Sequence, residues 1–157
     1  MVVDSEEGKE KILPSFGMNS RQVNTSSAMI IVFGDLKNYE KAEQIYGDAV
    51  SKKHMTEEIK DKMLSWVLPH YKGLSREGMK DIVNIDSSLM AMQFMLVAKS
   101  HGYDTNPIGG FDKANIADVL GLDSDRFVPV VAIAVGKGAQ EAHKSVRLPL
   151  DDVRQYL

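Results

Sequence analysis

The sequence contains no cysteine. Disulfides, thiolate nucleophiles and cysteine-ligated metal centres are therefore excluded. An excess of basic charge is missing too: 19 lysines and arginines stand against 22 acidic residues, for a net charge of −3. The basic residues are scattered, so the electrostatic footprint of a nucleic-acid binder is absent. Long apolar runs are lacking. The longest, Leu89 to Ala98, is broken by Gln93 and is too short to span a bilayer. The opening "MVVDSEEGKEK" turns acidic by Asp4, unlike the basic and then apolar start of a secretory signal. A cytoplasmic address is the expectation, with neither membrane nor nucleic acid as a partner. Internal repeats, low-complexity tracts and inter-domain linkers are also missing.

What is present is an ordinary globular composition, 43% hydrophobic and 26% charged over 157 residues, enough for one domain with a real core. "MVV" reads as the end of a strand. Asp4 and Ser5 can cap a helix that carries Glu6 and Glu7 in its first turn and stops near Pro14. "NSRQVNTSS" reads as a polar loop with a short helical turn. "AMIIVFGD" and "RFVPVVAIAVGK" are continuous apolar runs closed by glycine, the pattern of buried strands. Between them lie helical segments at "NYEKAEQIYGDAVSKKH" and "MTEEIKDKMLSWVLPHY", the second capped by Thr56 and expected to bend or end at Pro69. A further helix is expected after Ser75. From Ile82 to Ser100 it is apolar nearly all round, which requires burial nearly all round. One of its sides is expected on the sheet and the other on a second subunit. The tail, "AHKSVRLPLDDVRQYL", ends helically.

Metal and nucleophile chemistry find little support. His54, His70, His101 and His143 show no paired ligand spacing. No serine sits in a nucleophile elbow, and no glycine pattern matches a Walker or dinucleotide fingerprint. An enzyme of this composition would borrow its difficult chemistry from a cofactor. "NPIGGFD", residues 106–112, is where one would lie. Gly109 and Gly110 read either as a tight turn or as backbone left bare for a flat ligand. The amides of Asn19 and Gln22, and the "KSVR" segment from Lys144 to Arg147, favour the second reading as amide donors and a phosphate clamp.

"HGYDTNPIGGFDKANIADVLGLD", then "RFVPVVAIAVGK" and "VRLPLDDV", together with "N-x-x-Q-V-x-x-S-S-A" from Asn19 to Ala28, strongly resemble the FMN-dependent nitroreductase family. The likeness is greatest to its bacterial putative NAD(P)H nitroreductases and runs along essentially the whole chain. It implies an α+β fold, a mixed and mainly antiparallel sheet flanked by helices in a three-layer αβα arrangement, and a homodimer through the Ile82–Ser100 helix. FMN would lie at the dimer interface and NADH or NADPH would be the reductant, with flavin N5 rather than a side chain doing the chemistry. The acceptor would be a small nitroaromatic or quinone-like molecule.

Residue by residue, Pro107, Ile108, Gly109 and Gly110 match the loop along the flavin, and Asn19 matches the side chain at its pyrimidine edge. Gln22 stands where relatives often carry a basic residue near N1 and O2. Arg147 matches the phosphate grip, with Ser145 as helper and Lys144 as alternative cation. Trp66, His70 and Tyr71 fall in the variable wall over the flavin, where aromatics can stack on a flat acceptor, although Trp66 can equally anchor its helix to the core. The family's "R-R-S-x-R"-like and "P-S-x-x-N-x-Q-P-W"-like segments are absent. The resemblance thus implies a single domain, residues 1–157, lacking an N-terminal portion, with a non-catalytic dimeric remnant as the alternative.

Overall fold

The computed structural model describes residues 1–156. Two apolar segments make the centre. Strand β2 (Ala28–Asp35) and strand β4 (Phe127–Gly136) pair antiparallel along their whole lengths. Their side chains alternate between two faces, and both faces are buried, which is why the sequence shows continuous rather than alternating hydrophobicity. The short β1 (Val2–Val3) adds to β2, and β3 (Asp104–Ile108) adds to β4, giving the order β1-β2-β4-β3. Every described pairing is antiparallel.

Proline positions follow from this layout. Pro107 lies in an edge strand. Pro129 lies at the register shift opposite Val32 and Phe33, where the central ladder is already interrupted. Both are places where a missing N–H can be tolerated.

One face of the sheet packs Met29, Ile31, Ala132 and Ala134 against α1 (Glu6–Ile12), the 3₁₀ segment Leu13–Asn19, α2 (Ser20–Thr25) and α6 (Ile116–Val119). Ile12, Phe16, Val23 and Ile116 complete that cluster. On the other face, Val32 and Ile133 meet Ala91, Phe94 and Met95 of α5 (Arg76–Ser100). The three-layer α+β arrangement expected from the resemblance is present. Helices α3 (Ala42–Ser51) and α4 (Glu57–Lys72) lie outside this sandwich and pack on one another. The four-residue α7 (Leu150–Val153) stands in the exposed tail.

The caps are as the side chains demand. Ser5, Thr56 and Ser75 each accept a backbone N–H three residues on. Pro69 does not end α4, which continues to Lys72. The proline removes only its own N–H from the helical ladder, and beyond it the Gly73 N–H closes the last turn onto the Pro69 carbonyl. The polar 19–27 stretch is more ordered than its composition suggests, with Ser20–Thr25 fully helical. Helix α5 is longer than the apolar run and starts at Arg76.

Within one chain α5 is not buried all round. Met79, Val83, Ala91 and Ala98 face inward, while Ile85, Leu89, Met92 and Leu96 are 62%, 67%, 51% and 60% exposed. The inward side sits tightly on the sheet: a β-carbon at Gly34 would fall 2.5 Å from Val83 Cγ2. Glycine at that position therefore sets how closely α5 approaches β2.

At the far end of the β2–β4 pair, Arg126 grips Asp35 through two hydrogen bonds of 2.7 and 2.8 Å and reaches Glu40 at 3.0 Å. Partial burial alone would raise the Asp35 pKa. The Arg126 hydrogen bonds, the Lys37 N–H and the positive charge of Arg126 outweigh it and hold the carboxyl below its ordinary value. A carboxylate lowered on folding stabilises the folded chain above its unfolded pKa and loses that contribution as pH falls through the folded one. Asp35→Asn should therefore be less stable than wild type near neutrality, and the difference should shrink below about pH 4. Chemical denaturation at several pH values checks this. A wild-type advantage that stays constant down to strong acid would show that the carboxylate charge is not the source.

Candidate functional site

Three contacts hold the loop after β3 against the segment before α2. Asn19 Nδ2 donates to the Gly110 carbonyl at 2.8 Å, and the Asp112 N–H donates to the Ser15 carbonyl at 2.7 Å. The Phe16 and Phe111 rings stack 5.5 Å apart. Gly17, with φ 47° and ψ −117°, breaks the 3₁₀ turn so that a new helix starts just beyond Asn19. Loop 109–112 is thus clamped by residues about ninety positions away in sequence.

The two readings of the glycine pair can now be separated. Neither Gly109 nor Gly110 has a positive φ, so turn geometry does not demand glycine there. The absent β-carbons remain as a reason. A β-carbon on Gly109 would meet nothing within 4 Å, whereas one on Gly110 would come within 3.4 Å of Asn19 Nδ2. The loop presents bare backbone to open space.

Gln22 lies one helical turn beyond Asn19, and its Oε1 is buried without a hydrogen-bond partner. Such an orphan costs about 1–3 kcal/mol. Its residue lines a cleft of about 480 Å³ with Arg21, Asn106, Ala134, Lys137 and His143. Turning the amide into the cleft would exchange the orphaned oxygen for a ligand contact. The residues therefore fit a flat, hydrogen-bonding ring. Asn19 has its Nδ2 engaged and its Oδ1 left to accept, Gln22 carries both a donor and an acceptor, and Gly109 leaves room for a ring face.

Other expected residues are placed differently. Pro107 and Ile108 belong to β3 rather than to the loop, and the Ile108 side chain is core. Ile108 can serve the site only through its backbone, whereas Pro107 is exposed. Ser145, Arg147 and Lys144 lie in the exposed tail, where Arg147 hydrogen-bonds the Val146 carbonyl. No described hydrogen bond or ion pair joins them to Asn19 or Gly110, although His143 of the same tail lines the cleft with Gln22.

Trp66, 62% exposed, stacks on His70 at 5.4 Å, and Tyr71 meets His70 edge-on. Trp66 thus does not anchor α4 to the core. Tyr71 packs beside Leu36, Met79 and Val83, making it the core-facing member of the three.

Sequence reasoning passed over Arg21, although it sits between the two amides it did single out. It also missed the clasp at the exit of β4. There Asp104 accepts from Lys99 at 2.7 Å and from the Gly138 N–H at 2.9 Å. The Lys99 hydrogen bond, then that of Gly138, hold the Asp104 carboxyl below its ordinary value. Among the described residues no cluster of potential metal ligands occurs.

Comparison with known proteins bears on the fold and the family. The family model for the nitroreductase family matches residues 1–137. The chain is 46% identical over 156 residues to the "Putative NAD(P)H nitroreductase YdgI" of Bacillus subtilis, covering 99% of this chain and 75% of that protein. It superposes with a TM-score of 0.99 on the crystal structure of a "putative NAD(P)H:FMN oxidoreductase" from Staphylococcus epidermidis, at 74% identity, covering 100% of this chain and 74% of the other. A "putative nitroreductase in complex with FMN" from Exiguobacterium sibiricum gives a TM-score of 0.96 at 45% identity, covering 99% and 74%.

The clamp and the open loop predict opposite responses to small substitutions. Asn19→Ala should cost about 0.5–1.5 kcal/mol, the value of one intramolecular hydrogen bond. Gly109→Ala should match wild type or gain up to about 1 kcal/mol, because the space is free and φ is compatible. Urea denaturation of both variants compares them. A Gly109→Ala protein as damaged as Asn19→Ala would mean that the loop is bare for structural reasons.

Proposed function

The chain belongs to the nitroreductase family, and on that premise we propose that it is an NAD(P)H-dependent flavin oxidoreductase that holds FMN beside the Asn19–Gly110 clamp. When bound, FMN would supply the redox chemistry, hydride uptake from NADH or NADPH and electron delivery to a small electron-poor acceptor such as a nitroaromatic or a quinone. The observation that carries the reading is the clamped Gly109–Gly110 loop, whose bare backbone borders open space beside the Asn19 amide. Its support is the similarity to an FMN-complexed relative over nearly the whole chain.

The chain's own residues do the binding and orienting. Asn19, with its Nδ2 committed to Gly110, would offer Oδ1 to a ring N–H at the pyrimidine edge. Gln22 would donate near N1 and O2, although without the full charge of a basic residue. The Pro107–Gly110 backbone would border the ring. Arg147, with Ser145 and Lys144, grips the phosphate with the charge-assisted contacts suited to a guanidinium. Because those residues stand in an exposed tail, they act across a dimer, on the partner's site. Val146, Leu148, Leu150 and Val153 in that tail are 62–93% exposed, an apolar series suited to lie along a second subunit. Trp66 and His70 form a flat stack that can face a planar acceptor.

Dimerisation runs through α5. Ile85, Leu89, Met92 and Leu96 recur at helical spacing on the side away from the sheet. A twofold partner presenting the same stripe would cover it, since an isologous contact is self-complementary. Leu89→Asp should shift the protein to monomer by light scattering at micromolar concentration, whereas wild type should be a dimer even without FMN. A wild-type monomer mass would remove both the interface and the shared site.

The function itself is tested by flavin titration followed by anaerobic addition of NADH or NADPH. Wild type should bind FMN, and its oxidised-flavin band should bleach and then recover on adding a nitroaromatic or a quinone. Arg147→Ala should weaken FMN binding about tenfold to a hundredfold, the loss of one charge-assisted contact. Gly109→Ala should weaken it while leaving the fold intact. Wild type that binds no FMN, or variants that bind it equally well, would count against this site.

A further inference from the structure

A second cleft, of about 580 Å³, opens on the α5 side of the sheet between the first half of α5 and the start of β4. Its donor-bearing lining residues are Arg76, Lys80, Asn84, Ser88, Lys113 and Ser124, and no carboxylate lines it. In a chain of net charge −3, three cations converge here on one concave surface. Two of them are positioned without being neutralised. Arg76 donates to the Asp125 carbonyl oxygen, and Lys113 Nζ donates to the Val130 carbonyl at 2.9 Å. A neutral carbonyl orients a cation but leaves its full charge available. Among the described residues neither Arg76 nor Lys113 forms an ion pair; only Lys80 meets a carboxylate, Glu77, at 3.6 Å.

The Val130 carbonyl is at the register shift of β4, where Val131 pairs with Val32 and Pro129 with Phe33. Residue 130 has no partner in the ladder, and the interruption leaves its carbonyl to fix Lys113. Arg76 and Lys80 lie on the side of α5 opposite the Ile85–Leu89–Met92–Leu96 stripe, so a partner on that stripe leaves these two cations uncovered.

We propose that this cleft is a phosphate subsite, with a guanidinium, two ammonium groups and the Ser88, Ser124 and Asn84 side chains as its donors. Concave sites of one sign concentrate oppositely charged ligands, and the arginine fork suits a phosphate oxygen pair. The phosphate is that of a nicotinamide dinucleotide or a free phosphate. The first source rests on the proposed oxidoreductase function, because Lys113 follows the Gly109–Gly110 loop by three residues; the phosphate chemistry itself does not.

Pyrophosphate titration by calorimetry tests the subsite, using wild type, Lys80→Gln and Arg76→Gln, both at the surface of α5. Saturable binding in wild type, weakened about tenfold in each variant, supports it. No saturable binding, or equal binding in all three proteins, overturns it. Steady-state kinetics of FMN-loaded protein separates the sources. A raised KM for NADH or NADPH at unchanged kcat assigns the site to the dinucleotide. An unchanged KM with weakened pyrophosphate binding assigns it to free phosphate and removes the dinucleotide. Failure of wild type to take up FMN or to oxidise NADH would reject the function proposed above and leave the pyrophosphate result standing.

Discussion

The antiparallel pairing of β2 with β4 is the interaction on which the rest of the molecule depends. It is the longest ladder in the sheet, and both of its faces are apolar. A sheet buried on both sides needs a layer on each. One layer is built from short pieces, α1, the 3₁₀ segment, α2 and α6; the other is the single long α5. The short pieces create the candidate site, because their many ends and turns present backbone and amides at the edge of the sheet. The long helix creates the exposed stripe, because a straight cylinder can bury only one side against a sheet.

One irregularity of this ladder meets the 580 Å³ cleft, and the end of the neighbouring β3 meets the clamped loop. β3 ends at Ile108, and the chain leaves it through two glycines that the Leu13–Asn19 segment clamps from the opposite direction in sequence. The register shift near Pro129 leaves the Val130 carbonyl free to hold Lys113. In both places interrupted pairing leaves main-chain groups to position other residues. Regular ladder, by contrast, has its polar groups engaged with its own partners.

Legibility in the sequence tracked the range of the interactions. The two central strands, the Ser5, Thr56 and Ser75 caps and the apolar character of α5 were all readable, because each depends on neighbouring residues alone. Of the two effects expected at Pro69, an end to the helix did not occur, since α4 runs on to Lys72. The polar 19–27 stretch was read as loop with a short helical turn, because the helix there is supported by burying one residue, Val23, in a distant cluster. The glycine pair alone read as a turn; the amides of Asn19 and Gln22 and the "KSVR" segment favoured a ligand, and the resemblance to a family gave each its role. The Asp104 and Arg126 clasps, across 34 and 91 residues, left no pattern to read.

By itself the sequence determined the two central strands, most of the helices and the family, and through the family the α+β class, because periodicity, capping chemistry and motif order are written in consecutive residues; β3 was not among them. Only the tertiary structure decided that Gly109 and Gly110 keep negative φ and so are bare for space rather than for turning. It alone showed that Trp66 faces outward, that Ile108 belongs to the core, and that no described hydrogen bond or ion pair joins Arg147 to the clamp. Each of those outcomes depends on which distant surface a residue meets. That is settled by packing two layers onto one sheet, and no local preference contains it.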